Sequence, residues 1–217
     1  QGVFGIGDDT AVIPIDLNLS QLVSTDMLLE GTHFILDRIT PFDLGYKSLA
    51  VNLSDIAAMG GKPEYFFVSI GLSDSVDVEW VSDLYEGMKS LAQQKNVILL
   101  GGDTTKSKEQ ICISVTVIGS QNPNRIKFRS GAQVDDLIAV TGNLGDSAAG
   151  LKCLLEDKKG PLEQFLIQQH VRPRPHVNEG IWLSQFPYVH AMMDVSDGLD
   201  NDLRQILSKS KCGAIID

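Results

Sequence analysis

The sequence predicts an α+β protein built in two parts. Three observations lead there. Strand-like and helix-like segments are both present but do not alternate regularly enough for a doubly wound sheet. Several apolar strands run straight into Asp- and Gly-containing turns, and the composition shifts after Gln121-Asn122-Pro123-Asn124. The expected division is residues 1–124, an N-terminal domain, and 125–217, the start of a second.

The elements follow in order. Gly5-Ile6-Gly7-Asp8-Asp9-Thr10 is a flexible turn carrying two acids, and Gln21 to Thr25 is a short strand ending at Asp26. Thr40 to Gly60 reads as one helix: Thr40 caps it, Pro41 suits its first turn and Gly60 stops it. Phe42, Tyr46, Leu49, Leu53 and Ile56 form its apolar face. A second stripe, Ser48, Asn52 and Asp55, runs among residues too apolar for a solvated surface. A carboxylate there needs a partner, because burying it unpaired is costly.

Tyr65 to Leu72 is a strand, Asp77 to Gln94 a helix with Val81, Leu84, Met88 and Leu91 inward, and Val97 to Leu100 a short buried strand. Ile111 to Ile118 alternates as a strand with one polar face. Beyond the boundary, Arg125 to Arg129 and Asp136 to Thr141 read as strands, and Gly142 to Ser147 opens a helix to about Asp157. Helices are expected around Leu162 to His170, His176 to Phe186 and Leu199 to Lys209, with a strand at Val189 to Met193. The chain opens abruptly at Gln1 and ends on a strand-like AIID, which reads as a piece cut from a longer protein.

A net charge of −10 argues against a general binder of nucleic acid or anionic membranes. No apolar run reaches the length of a membrane span and no signal peptide is evident, so a cytoplasmic protein is expected. Three Cys without metal-like spacing read as reduced, and four scattered His suggest no zinc site.

Asp9, Asp26, Asp103 and Asp194 each sit in a turn or just past an apolar strand, where sites are commonly built. Each one singly suits an N-cap or Asx-turn; their repetition, with Gly nearby, points further. Two carboxylates about 4 Å apart repel by about 4 kcal/mol at an effective dielectric near 20, so converging acids protonate or bind cations. Oxygen ligation by Asp, Ser and Thr suits Mg²⁺ shared with phosphates. No GxxxxGK[ST] is present, so the expectation is nucleotide chemistry without a P-loop.

Taken in order, the motifs Gly5 to Asp9, Ser24-Thr25-Asp26, Glu30 to Phe34, Asn52 to Gly60, Gly101 to Thr104, Arg129-Ser130-Gly131, Thr141-Gly142 with Gly145 to Leu151, and Asp194 to Leu199 resemble the thiamine-monophosphate kinases. The wider group is the superfamily of aminoimidazole ribonucleotide synthase. The resemblance implies an aminoimidazole ribonucleotide synthase-like fold: an N-terminal mixed sheet with helices on one face, and a C-terminal α+β domain incomplete in this chain. It implies a homodimer, and phosphoryl transfer from ATP to thiamine monophosphate with several Mg²⁺ ions. By motif, Asp9, Ser24, Thr25, Asp26, Asp55, Asp103, Asp194 and Asp197 would hold Mg²⁺. Tyr85, Gly102, Asp103, Arg129 and Ser196 would contact ATP, and His33 the acceptor. Contacts to the thiamine rings are implied beyond Asp217. The alternatives are another ATP-using member of the superfamily and a non-catalytic, dimeric nucleotide- or metal-binding module.

Overall fold

The computed structural model describes residues 2–216. A five-stranded sheet is assembled from β1 (Ala11–Pro14), β2 (Ser20–Leu29), β3 (Lys62–Leu72), β4 (Ile98–Lys106) and β5 (Cys112–Gln121). Its spatial order is β1-β2-β5-β3-β4, antiparallel throughout except for the parallel β3–β4 pair. The parallel pair needs a crossover, supplied by α2 (Val78–Lys95). Alternation along β5 buries Ile113, Val115 and Val117 on one face. That face is covered by α1 (Pro41–Ala58) and α2, whose Leu49, Leu53, Ile56, Leu84, Met88 and Leu91 complete the core.

Helix α1 has the ends its sequence demands. The Thr40 hydroxyl oxygen accepts from the Asp43 amide at 3.1 Å and donates to the Asp43 carboxylate at 2.8 Å. Gly60 stands at φ 72°, a left-handed geometry that few side chains tolerate, and its amide returns to the Ala57 carbonyl. Thr40→Ala should cost about 1 kcal/mol, a typical N-cap loss, read from urea unfolding.

Gly45 on α1 and Gly87 on α2 let the two helices touch backbone to backbone. A Cβ at Gly45 would sit 1.9 Å from the Leu84 carbonyl oxygen, and one at Gly87 would sit 1.9 Å from that of Phe42. The contact is reciprocal, so neither helix can carry a methyl group at the crossing.

After the sheet, a 3-10 turn at Pro123–Arg125 leads into α3 (Asp146–Leu155), α4 (Pro161–Val171), α5 (Val177–Ser184) and α6 (Leu199–Ser210). Val177 at the start of α5 joins the same core as α1, and the buried Lys127 ammonium holds the Phe186 and Val189 carbonyls at 2.8 Å each.

Four expected strands are corrected. Residues Arg125 to Arg129, Asp136 to Thr141 and Val189 to Met193 form no ladder among the described residues, nor does Ala214 to Ile216; Asp217 lies outside them. A strand exists only with a partner for its amides and carbonyls, and Leu137, Ile138 and Ile215 are left exposed instead. The segment read as a short buried strand, Val97 to Leu100, buries only Val97. The rest opens β4, an edge strand exposed along its whole length.

Candidate functional site: an acid pocket at the end of α1

The carboxylates of Asp9, Asp55 and Asp194 offer oxygens that all lie within 4.8 Å of one another. They come from the turn before β1, from the last turn of α1, and from the loop before α6. Each is held by a neighbour. Ser24 on β2 donates to Asp55, and Ser54 donates to Asp194 at 3.1 Å. Arg129 donates through its guanidinium to Asp9 at 2.6 Å and through its amide to Asp8 at 2.7 Å.

The stripe Ser48, Asn52, Asp55 divides its labour. The Ser48 hydroxyl bonds back to the Leu44 carbonyl. The buried Asn52 side chain donates to the Ser48 carbonyl and accepts the Asp26 amide, each at 3.0 Å, which ties β2 to α1. Only Asp55 is left for chemistry.

Burial pushes Asp55 up to about 8, with Asp26, Asp194 and Asp9 adding to it against the Ser24 hydrogen bond. Burial, then the nearby Asp9, pushes Asp194 up to about 7. Asp9 is also raised by burial, against the opposing pull of Arg129. Asp26 is raised by burial and partly relieved by His33. The pocket therefore holds protons that a cation would displace. Groups whose folded pKa lies above the unfolded one bind more protons in the folded state, so stability falls as pH rises through about 7 to 8. In EDTA the melting temperature should drop on the order of 5 °C from pH 6 to pH 9. Added Mg²⁺ should remove most of that slope, as followed by circular dichroism.

Other residues singled out by sequence lie elsewhere. Asp103 on β4 pairs with Ser69 of β3 and lines a shallow groove with Met27 and Ser114. That is the open face of the sheet, opposite the helices, so Asp103 does not join the three acids. Thr25 is turned the same way, its hydroxyl 3.0 Å from that of Thr116. Tyr85, on α2, packs against the core, and its hydroxyl reaches Thr104 near Gly102 on the edge strand. Ser196 and Asp197 are exposed in the loop before α6, their amides donating to buried Asp202 at 3.0 and 3.1 Å. His33 stands in the turn after β2, with Nδ1 accepting the Leu29 amide at 3.0 Å.

The sequence places Asn52 on the buried polar stripe of α1 without its role in tying β2 to α1, and it gives no sign of Ser54 and Asp202 as holders of the acids and their loop. The only signal was polarity at buried helical positions. Missed too was Arg129 as the counter-ion of Asp9.

Residues 7–121, more than half of the chain, match the family described as AIR synthase related protein, N-terminal domain. Fold and acid pocket together thus define the class of AIR synthase related proteins. Within that class, the chain is 43% identical over 215 residues to the thiamine-monophosphate kinase of Buchnera aphidicola subsp. Acyrthosiphon pisum, covering 98% of this chain and 65% of that relative. A solved structure of AaThiL complexed with AMPPCP and TMP is 37% identical with a TM-score of 0.88, over 95% of this chain and 65% of that one. The crystal structure of thiamine monophosphate kinase from Aquifex aeolicus is 36% identical with a TM-score of 0.84, over 93% and 67%. The chain belongs to the thiamine-monophosphate kinase family, and it spans 65% of the length of the curated relative it matches.

Proposed function

We propose that the whole protein transfers the γ-phosphoryl group of ATP to the phosphate of thiamine monophosphate, giving thiamine diphosphate, with Mg²⁺ at the acid pocket. The observation that carries this reading is the meeting of Asp9, Asp55 and Asp194 from three distant segments. The residues fit the ion. Their donors are all oxygens, and Asp9 Oδ2 and Thr10 Oγ1 are buried with no hydrogen-bond partner. Asp9, Asp26, Asp55 and Asp194 would hold it, with Asp197 close by in sequence. When bound, Mg²⁺ offsets the repulsion between two anionic reactants.

The chain's own residues do the rest. Ser24 and Ser54 orient Asp55 and Asp194. Arg129, already beside Asp9, is placed to pair with ATP phosphate oxygens, with Ser196 at the neighbouring loop. His33 faces the acceptor. A phosphate acceptor is already a nucleophile near neutrality, so the reaction needs positioning and no strong general base. Transfer is direct, with no phosphoenzyme. Thr25, Tyr85, Gly102 and Asp103 have no part in this pocket of the single chain.

The family membership supports this reading, as does the AMPPCP and TMP held together in the solved relative, AMPPCP being an ATP analogue. Among the described residues no helix is long and apolar enough to cross a membrane. With ATP as substrate we assign the protein to the cytoplasm. We also infer two domains, 1–124 and 125–217. The protein is a homodimer in this reading, since the open sheet face and β4 leave Met27, Phe67, Ile98 and Leu100 exposed.

The test is ADP release by the full-length protein with thiamine monophosphate, against release with formylglycinamidine ribonucleotide. Release specific to the thiamine ester is expected; release only with the purine precursor overturns the assignment. Retention of configuration at a chiral γ-phosphorus, or a trapped phosphorylated residue, overturns direct transfer.

A further inference from the structure

Residues 127–129 form a short strap that meets the segment carrying each acid of the pocket. The Lys127 amide donates at 3.2 Å to the carbonyl of Met59, which ends α1 just past Asp55. The Phe128 carbonyl accepts at 3.0 Å from the amide of Met192, which lies just before Asp194. Arg129 then reaches Asp8 through its amide and Asp9 through its guanidinium. A second guanidinium nitrogen of Arg129 donates to Gln205 on α6 at 2.9 Å.

One side chain pins this strap to the rest. Lys127 is 9% exposed, and its ammonium holds the carbonyls of Phe186 and Val189 at 2.8 Å each. Those two residues bound the turn that leads into the Asp194 segment, and the Val189 amide closes it on the Phe186 carbonyl at 3.3 Å. No carboxylate pairs with Lys127 among the described residues. A cation is a costly way to fill a buried position, where a hydrocarbon chain packs without losing hydration. What the ammonium adds is direction. It donates to two carbonyls at once, and bonds from a charged donor are roughly twice as strong as neutral ones.

We propose that Lys127 is a positioning residue for the phosphoryl transfer: it locks the strap to the 186–189 turn and so fixes Arg129 against Asp9 and Asp194 against Asp55. The assignment rests on the acid-pocket reading above and extends it to a residue that bonds to none of the three acids.

The test uses the full-length protein and needs no turnover. By calorimetry, Lys127→Met should weaken binding of Mg²⁺–AMPPCP about tenfold, the weight of one hydrogen bond to a charged group. KM for thiamine monophosphate should stay as in the native protein. Arg129→Gln alone should also weaken the analogue. Because Lys127 acts partly through Arg129, adding Lys127→Met to Arg129→Gln should lose clearly less affinity than it does in the native background. The fall in melting temperature caused by Lys127→Met should persist in both backgrounds. Where Lys127→Met does not fold, Lys127→Gln, which keeps an N–H donor, makes the same comparison. Unchanged affinity, or equal fold-losses with and without Arg129, overturns the assignment and leaves the pocket reading standing. So does a rise in KM for thiamine monophosphate as large as the loss of analogue affinity, which marks general loosening. A native protein that does not bind Mg²⁺–AMPPCP overturns the pocket reading and this assignment with it. Analogue binding without transfer to thiamine monophosphate refutes the acceptor alone, and the calorimetry still decides the role of Lys127.

Discussion

Asp55→Asn should lower kcat/KM for thiamine monophosphate on the order of 10³-fold or more in the full-length protein, comparable to the loss of a preorganised electrostatic contact. The side chain keeps its shape and its bond from Ser24 while losing the capacity to become a carboxylate. Because Asp55 is pushed up to about 8, it is largely protonated at pH 6, where Asn is a close mimic. The variant and the native protein should then melt alike at pH 6 in EDTA. At pH 9 the variant should melt higher, since one member of a repelling group is gone. A structural role alone would give the opposite, a variant less stable at every pH. Near-normal turnover would remove Asp55 from the reaction.

The second large effect is mechanical. Gly45→Ala and Gly87→Ala each gain up to about 1 kcal/mol in helix propensity. Each also drives a methyl group to 1.9 Å from a backbone carbonyl oxygen of the other helix. The obstacle is backbone, which cannot rotate aside, so the helices must separate and overpacking costs of about 1–3 kcal/mol or more apply. The clash wins, and each variant should lose roughly 2 kcal/mol in urea unfolding. The double variant should lose clearly less than the sum, because one separation relieves both contacts. Full additivity would mean that the two glycines are independent.

Much of this was legible from the residues, and the reasons differ by segment. Helix α1 declared itself through Thr40, Pro41, Gly60 and a buried apolar face, all local signals. Strands β3 and β5 alternate, so period and burial agree. The apolar run at 97–100 was misread because hydrophobicity does not distinguish a central strand from an edge one. Residues 136–141 and 189–193 have strand composition, yet composition supplies no hydrogen-bond partner. In the site, Asp9, Asp55 and Asp194 were legible from turns, strand ends and a helix stripe. Asp103 carried the same signal and lies on the other face, because alternation by one residue reverses a side chain. Lys127 went unread: a lone lysine becomes a pin only when the turn at 186–189 is brought beside it.

The three acids are supplied by the two ends of the described chain and a helix between them. Synthesis runs from the N-terminus, and domains form as they emerge. The sheet with its two covering helices has all its residues once Gln121 is made. Asp194 arrives much later, so the densest gathering of negative charge is deferred until the scaffold that must bear it already stands. A ribosome-bound chain lacking that last loop should carry the N-terminal architecture while having only part of its grip on divalent ions.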